Sequence, residues 1–173
     1  MKSNLLFDFT VNKENNTIHI KREFDANLPL VWKAWTTPEI LDQWWAPKPY
    51  RNQTKTLDFK EGGIWHYAMI SPENKMHWNR FDYENIEVQK MYTGWDGFCD
   101  EQGNFIETEF SKIHWENSFK DSPKSTIVHI TLTLVSLTAL EKIIEMGFKD
   151  GFILGLNQLD NLLVTIKNKK NEK

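Results

Sequence analysis

Phe148, Phe152, Leu156, Leu159, Leu163 and Ile166 follow one another at spacings of three and four residues to the end of the chain. That period places them on one face of an α-helix, so the C-terminal segment reads as amphipathic and in need of a broad apolar partner. The helix is expected to begin in "LTALEKIIEM" and to be long enough to lie across a whole sheet. Gly147, Gly151 and Gly155 fall on one of its sides. A glycine in a helix interior costs about 1 kcal/mol relative to alanine, so the three predict close contact with the sheet or, as the alternative, a kink or room for a ligand.

The preceding residues supply the sheet. "TKTLDF", "GIWHYAMI", "MHWNRFDYENIEV", "KMYTGWDGF", "SKIHWENSF" and "STIVHITLTLV" read as strands, separated by turn-forming residues at "EGG", "SPENK", "DEQGN" and "KDSPK". A six-stranded antiparallel meander is the simplest path. In the last strand Val128, Ile130, Leu132 and Leu134 alternate with His129, Thr131 and Thr133, the pattern of a sheet covered on one face. Before the meander, Leu5 to Val11 and Ile18 to Phe24 alternate around "NKENN" and predict an N-terminal hairpin.

Between hairpin and meander lies "VWKAWTTPEILDQWW", with Trp32, Trp35, Trp44 and Trp45 inside fifteen residues. The spacing predicts a short helix from Pro29 to Trp35 and a second starting at Pro38, with Thr36 or Thr37 as its cap and Glu39 near its positive end. Trp44 and Trp45 are adjacent, so they point roughly 100° apart and serve different neighbours.

The 173 residues suit one domain. It divides into an N-terminal extension over 1–16 with an extra strand, a main domain over 17–166 and a basic tail over 167–173 expected to fray. No apolar run reaches the roughly 20 residues of a membrane span. The N-terminus lacks the pattern of a secretion signal, and Cys99 alone cannot form an intrachain disulfide, so a cytoplasmic location is expected. A net charge of −3 supplies no electrostatic reason for a nucleic-acid partner.

The segments "REFDANLPLVWKAWTTPEILDQWWAP", "EGGIWHYAMISPENK", "HWNRFDYENI" and "EMGFKDGFILGLNQLDNLL" resemble the START-like, Bet v 1-like proteins of the SRPBCC superfamily. Within it they are similar to the family of the C-terminal domain of the heat-shock-protein-90 ATPase activator, over residues 17 to 163. The resemblance implies an α+β helix-grip fold, in which a curved antiparallel sheet wraps a long C-terminal helix and two short helices follow the first main strand. It also implies a hollow between sheet and helix that takes a lipid, polyketide or similar ligand. Arg22, which shares strand parity with Ile18, Ile20 and Phe24, is then expected to form a buried ion pair.

The ligand-binding residues expected on this basis are Trp45, Tyr67, Met69, Asn79, Tyr83, Trp95, Trp115, Phe148, Phe152 and Leu156. Aromatic rings and methionine supply area; Asn79 and the tyrosine hydroxyls supply orientation. No catalytic set, metal site or cofactor is expected: the five histidines show no ligand spacing, and no phosphate loop, G-x-S-x-G or H-E-x-x-H occurs. His66, His77, Asp82 and Glu84 come nearest to an acid–base group, but the strand parity implied by the resemblance turns Asp82 and Glu84 outward. The expected function is non-catalytic binding of an apolar or amphipathic small molecule, by a monomer or homodimer. Two alternatives are a chaperone-activating protein contact, for which the co-chaperone's NxNNWHW motif is lacking, and a cyclase or hydrolase using the same hollow.

Overall fold

The structure is a computed structural model and describes residues 5–108 and 112–171. The first four residues of the N-terminal extension, Ser111 at the start of "SKIHWENSF" and the last two residues of the basic run lie outside the described residues.

One eight-stranded antiparallel sheet carries the fold, in the order β1-β2-β8-β7-β6-β5-β4-β3. The hairpin of β1 (Phe7–Asn12) and β2 (Thr17–Phe24) comes first, and β2 pairs with β8 (Ser125–Thr133). From β3 (Arg51–Leu57) through β4 (Ile64–Ile70), β5 (Met76–Glu87), β6 (Met91–Phe98) and β7 (Ile113–Ser122) to β8, each strand pairs with the next. This is the α+β helix-grip architecture. Hairpin tips take the left-handed backbone at Asn16, Asn74, Gln89 and Lys124. Asparagine tolerates that region well. Gln89 marks a β5–β6 turn within "EVQKM" that carries no Gly, Pro, Asn or Asp to announce it.

Helix α1 (Leu28–Thr36) begins at Asn27, whose side chain accepts from the Leu30 amide. Helix α2 (Pro38–Trp44) follows directly. Thr37 stands at its N-cap but accepts no capping bond there; its hydroxyl donates back to the Lys33 carbonyl. The C-terminal stripe is broken into two helices, α3 (Leu137–Glu145) and α4 (Phe148–Asn171), where one helix was expected with a kink as the alternative reading of its glycines. Gly147 sits in the break at φ +89°, a conformation that an L side chain adopts only with strain. Helix α4 runs on through the basic segment to Asn171, where fraying was expected, and Lys167 donates to the Asp25 carbonyl.

The core lies between the inner sheet face and the helices. Ile18, Ile20, Val128, Ile130, Leu132, Leu140, Leu156 and Leu159 are fully enclosed. Arg22 reaches from β2 to α4, donating to Asn157 and Asp160, so it forms the buried ion pair. Among the described residues, no helix is long and apolar enough to cross a membrane.

Candidate functional site

Adjacent tryptophans divide the work of the indole cluster. Trp44 is buried, donates from Nε1 to the Ala34 carbonyl and packs against Trp35 with centroids 4.9 Å apart, so it locks α2 onto α1. Trp32 and Trp35 both set their rings against Phe119 of β7. Trp45 turns the other way, toward Trp65, Tyr67, Trp115 and Phe152. Its position is held from α4: Gln158 donates to the carbonyls of Trp44 and Ala46 and accepts from the Lys48 amide. These bonds satisfy groups that the end of α2 would otherwise leave unpaired. Gly155 permits the approach, since a Cβ there would stand 3.4 Å from the Trp44 carbonyl oxygen and 3.6 Å from that of Trp45. Close contact thus occurs at one glycine, and against α2 instead of the sheet. Gly151 has only Pro47 nearby, at 3.9 Å.

Beyond Trp45 the sheet and the α3–α4 junction enclose a cavity of about 390 Å³. Tyr67 and Met69 line it from β4, Asn79 and His77 from β5, Asp96 and Phe98 from β6, and Ile113 and Trp115 from β7. Opposite them stand Ile143, Met146, Gly147 and Phe148, then Gly151 and Phe152 one turn further along α4. Pro47 and Tyr50 follow Trp45 around the wall. Tyr50, Phe98 and Met146 are also exposed on the surface, which makes them the rim. The break at Gly147 turns the chain between Met146 and Phe148, both of which face the cavity. Phe148 and Phe152 stack on each other at 5.4 Å, and Phe152 meets Trp115 at 5.8 Å.

Of the residues expected at a ligand, Trp45, Tyr67, Met69, Asn79, Trp115, Phe148 and Phe152 line this cavity. Tyr83, Trp95 and Leu156 do not. Tyr83 points inward but lies farther along the sheet, packed against Phe59, Phe81 and Tyr92. Leu156 is enclosed in the core beyond the point where the cavity closes. Trp95 is on the outer face. Register pairs it with Asp82 and His114, and its Nε1 donates to Glu84.

The same register turns Asp96 inward, opposite Phe81 and Ile113. Sequence reasoning missed this carboxyl because "MYTGWDGF" has large apolar residues at both parities. Burial pushes Asp96 up to about 7, and the Asp82 charge adds to the rise, against hydrogen bonds from the Gly97 amide and the Tyr67 hydroxyl. Its Oδ1 is sealed from solvent without a partner, as is Nε1 of Trp115. Burial, with the Asp96 charge beside it, holds the Tyr67 pKa well above the ordinary tyrosine value.

No acid–base group forms from the four residues considered earlier. His66 faces outward onto the Asp100 carbonyl, His77 faces the cavity, Asp82 pairs with Arg80, and Glu84 binds Thr93 and His114. The Cys99 thiol is pushed up to about 11 by burial, which suppresses the thiolate needed for nucleophilic chemistry. Among the described residues no three His, Cys, Asp or Glu side chains are grouped to hold a metal ion.

Comparison with known proteins agrees with the architecture. A solution structure of a protein from Arthrobacter aurescens matches with a TM-score of 0.85 and 27% identity, over 91% of each chain. One from Staphylococcus epidermidis matches at 0.79 and 26%, over 90% of this chain and 94% of that one. A crystal structure of a Mycobacterium smegmatis protein matches at 0.83 and 24%, over 92% and 97%, and shows the fold alone. No curated protein matches the chain. Residues 25–164 match the family described as "Activator of Hsp90 ATPase homolog 1-like protein". That span contains α1, α2, the whole meander and the cavity wall, and the chain belongs to this family.

Proposed function

We propose that the protein binds an apolar or amphipathic small molecule in the cavity between the sheet and the α3–α4 junction. The observation that carries this reading is the cavity of about 390 Å³ itself, walled by Trp45, Trp115, Phe148 and Phe152 and open at an exposed apolar rim. Empty space lined by large apolar side chains forfeits dispersion contacts that a close-packed core would make, and a bound molecule restores them. The few polar groups on the wall, among them Asn79 and Tyr67, give orientation to a mostly apolar occupant. A chaperone contact is supported by the family description alone and by no surface feature described above.

Native mass spectrometry of the freshly purified protein, followed by titration with fatty alcohols, sterols and polyphenols, tests the proposal. Binding that competes with an environment-sensitive dye and weakens on filling the cavity with Gly151→Phe supports it. Absence of saturable binding across the whole panel overturns it.

A further inference from the structure

A cavity built only for apolar contacts has no use for a carboxyl group in its wall. Asp96 is there, on the floor formed by β6, and its sealed Oδ1 has no partner to offset its removal from water. Such a group is a cost that a purely structural residue would not need to carry. Neighbouring groups limit what it can do. The Tyr67 hydroxyl beside it opposes the rise in its pKa, and the Asp82 charge adds to that rise. Among the described residues no lysine or arginine lines the cavity to neutralise it. Trp45, Trp115 and Phe152 line the same cavity and pack on one another, with ring centroids between 5.6 and 6.1 Å apart.

We propose that the cavity selects a ligand with a basic nitrogen, an alkyl- or arylalkylammonium whose head lies against the Asp96 carboxylate within the aromatic wall of Trp45, Trp115 and Phe152. This rests on the cavity being a ligand site. A carboxylate and a set of aromatic rings are both attractive to a cation, the first by charge-assisted hydrogen bonding and the second through the ring quadrupole. Both favour the same head group. A fatty-acid carboxylate would instead meet a like charge, so the arrangement discriminates against it as well as for the amine.

Proton linkage gives the inference a second signature. With Asp96 at about 7, roughly a tenth of the empty cavities are ionised at pH 6 and roughly nine tenths at pH 8. An ammonium binds the ionised form, so its affinity rises about tenfold across that interval. The titratable groups around Asp96 are Tyr67 on β4, His77, Asp82 and Tyr83 on β5 and Cys99 after β6, with Tyr50 at the rim. From the α3–α4 side Ile143, Met146, Phe148 and Phe152 present no charge. His77 is the group to remove as a control, with His77→Gln.

Octylamine, octanol and octanoate share one tail and differ in head charge. Isothermal titration at pH 8 should rank them in that order, with octylamine at least tenfold tighter than octanol. Octylamine should weaken about tenfold on going to pH 6, in the wild type and in His77→Gln, while octanol stays level. In Asp96→Asn the amine-to-alcohol preference should collapse to about one, measured within that variant. If Asp96→Asn fails to fold, the wild-type ranking and pH profile decide. Octanol binding as tightly as octylamine would overturn the inference and leave the cavity reading in place. Failure of all three probes to bind would overturn the inference, and the cavity reading falls with it only if the fatty alcohols, sterols and polyphenols fail as well.

Discussion

Arg22 on β2 donates to Asp160 on α4, tying the first strand of the main domain to its last helix inside the core. Both side chains are nearly enclosed, and the guanidinium also lies over the rings of Phe7 and Phe24. Burial raises the Asp160 pKa, and Arg22 opposes the rise. Removing one partner strands the other charge in a poorly solvated place. Asp160→Ala should therefore cost about 3–5 kcal/mol in urea unfolding. The double variant Arg22→Met/Asp160→Leu should recover much of that loss, because its apolar surroundings suit the replacements. A cost under about 1 kcal/mol for Asp160→Ala would show that solvent reaches the pair.

Glycines at the α3–α4 junction should respond in opposite directions. Gly147 adopts φ +89°, so Gly147→Ala should destabilise by about 1–2 kcal/mol although nothing lies within 4 Å of the new methyl. Gly151 has helical geometry and only Pro47 at 3.9 Å, so Gly151→Ala should stabilise by about 0.5–1 kcal/mol. Paired thermal melts would read both. Equal effects at the two positions would contradict the break.

Those two glycines show where the sequence was ambiguous. A period of three and four runs unbroken through Gly147, and a helix-interior glycine looks the same in sequence as one at a helix end. The fold was legible because its signals are redundant: alternation in β8, turn residues at most hairpins and the C-terminal stripe all point to one sheet gripping one helix. The site was legible where the family resemblance supplied the parity, as in β5 with Asn79 inward; the residues alone left the register of that hairpin open. It failed in β6, where Trp95 and Tyr92 compete for the inner face with opposite parity. Cross-strand geometry decides there. Gly94 pairs with Trp115, and a Cβ on Gly94 would stand 2.4 Å from the Phe81 ring, so the glycine, with Asp96 two residues on, must take the inner face. Such a contact joins residues on three strands and leaves no local trace.

Phe152 is half-buried and forms wall instead of packed core. Deleting a fully packed phenylalanine costs about 3–5 kcal/mol, part of it from the new void. Here the void already exists. Phe152→Ala should cost less than about 3 kcal/mol and weaken octanol binding several-fold, through lost contact with Trp45 and Trp115 as they reorganise. Denaturant midpoints and isothermal titration on the same preparation check both parts. A full core-type loss of stability with unchanged affinity would place Phe152 outside the site.

Asp96 should make the protein less stable as pH rises. Its folded pKa of about 7 lies above the ordinary 3.8, so between those values the unfolded chain has given up the proton while the folded chain keeps it. Where the folded state binds more protons, unfolding becomes easier with increasing pH. The loss attributable to this group begins near pH 4, accumulates to pH 7 and is constant above it, with a ceiling on the order of 4 kcal/mol. Asp96→Asn removes the titration while keeping the shape. It should unfold at about the same urea concentration as wild type near pH 4 and at a clearly higher one at pH 8, by about 1–3 kcal/mol. Loss of stability at pH 8 would mean that the carboxylate is held by partners strong enough to compensate its burial. A gain that is the same at both pH values would assign the effect to packing. The predicted outcome, a variant more stable but indifferent to head-group charge, is the one expected where a fold keeps an unfavourable group for recognition.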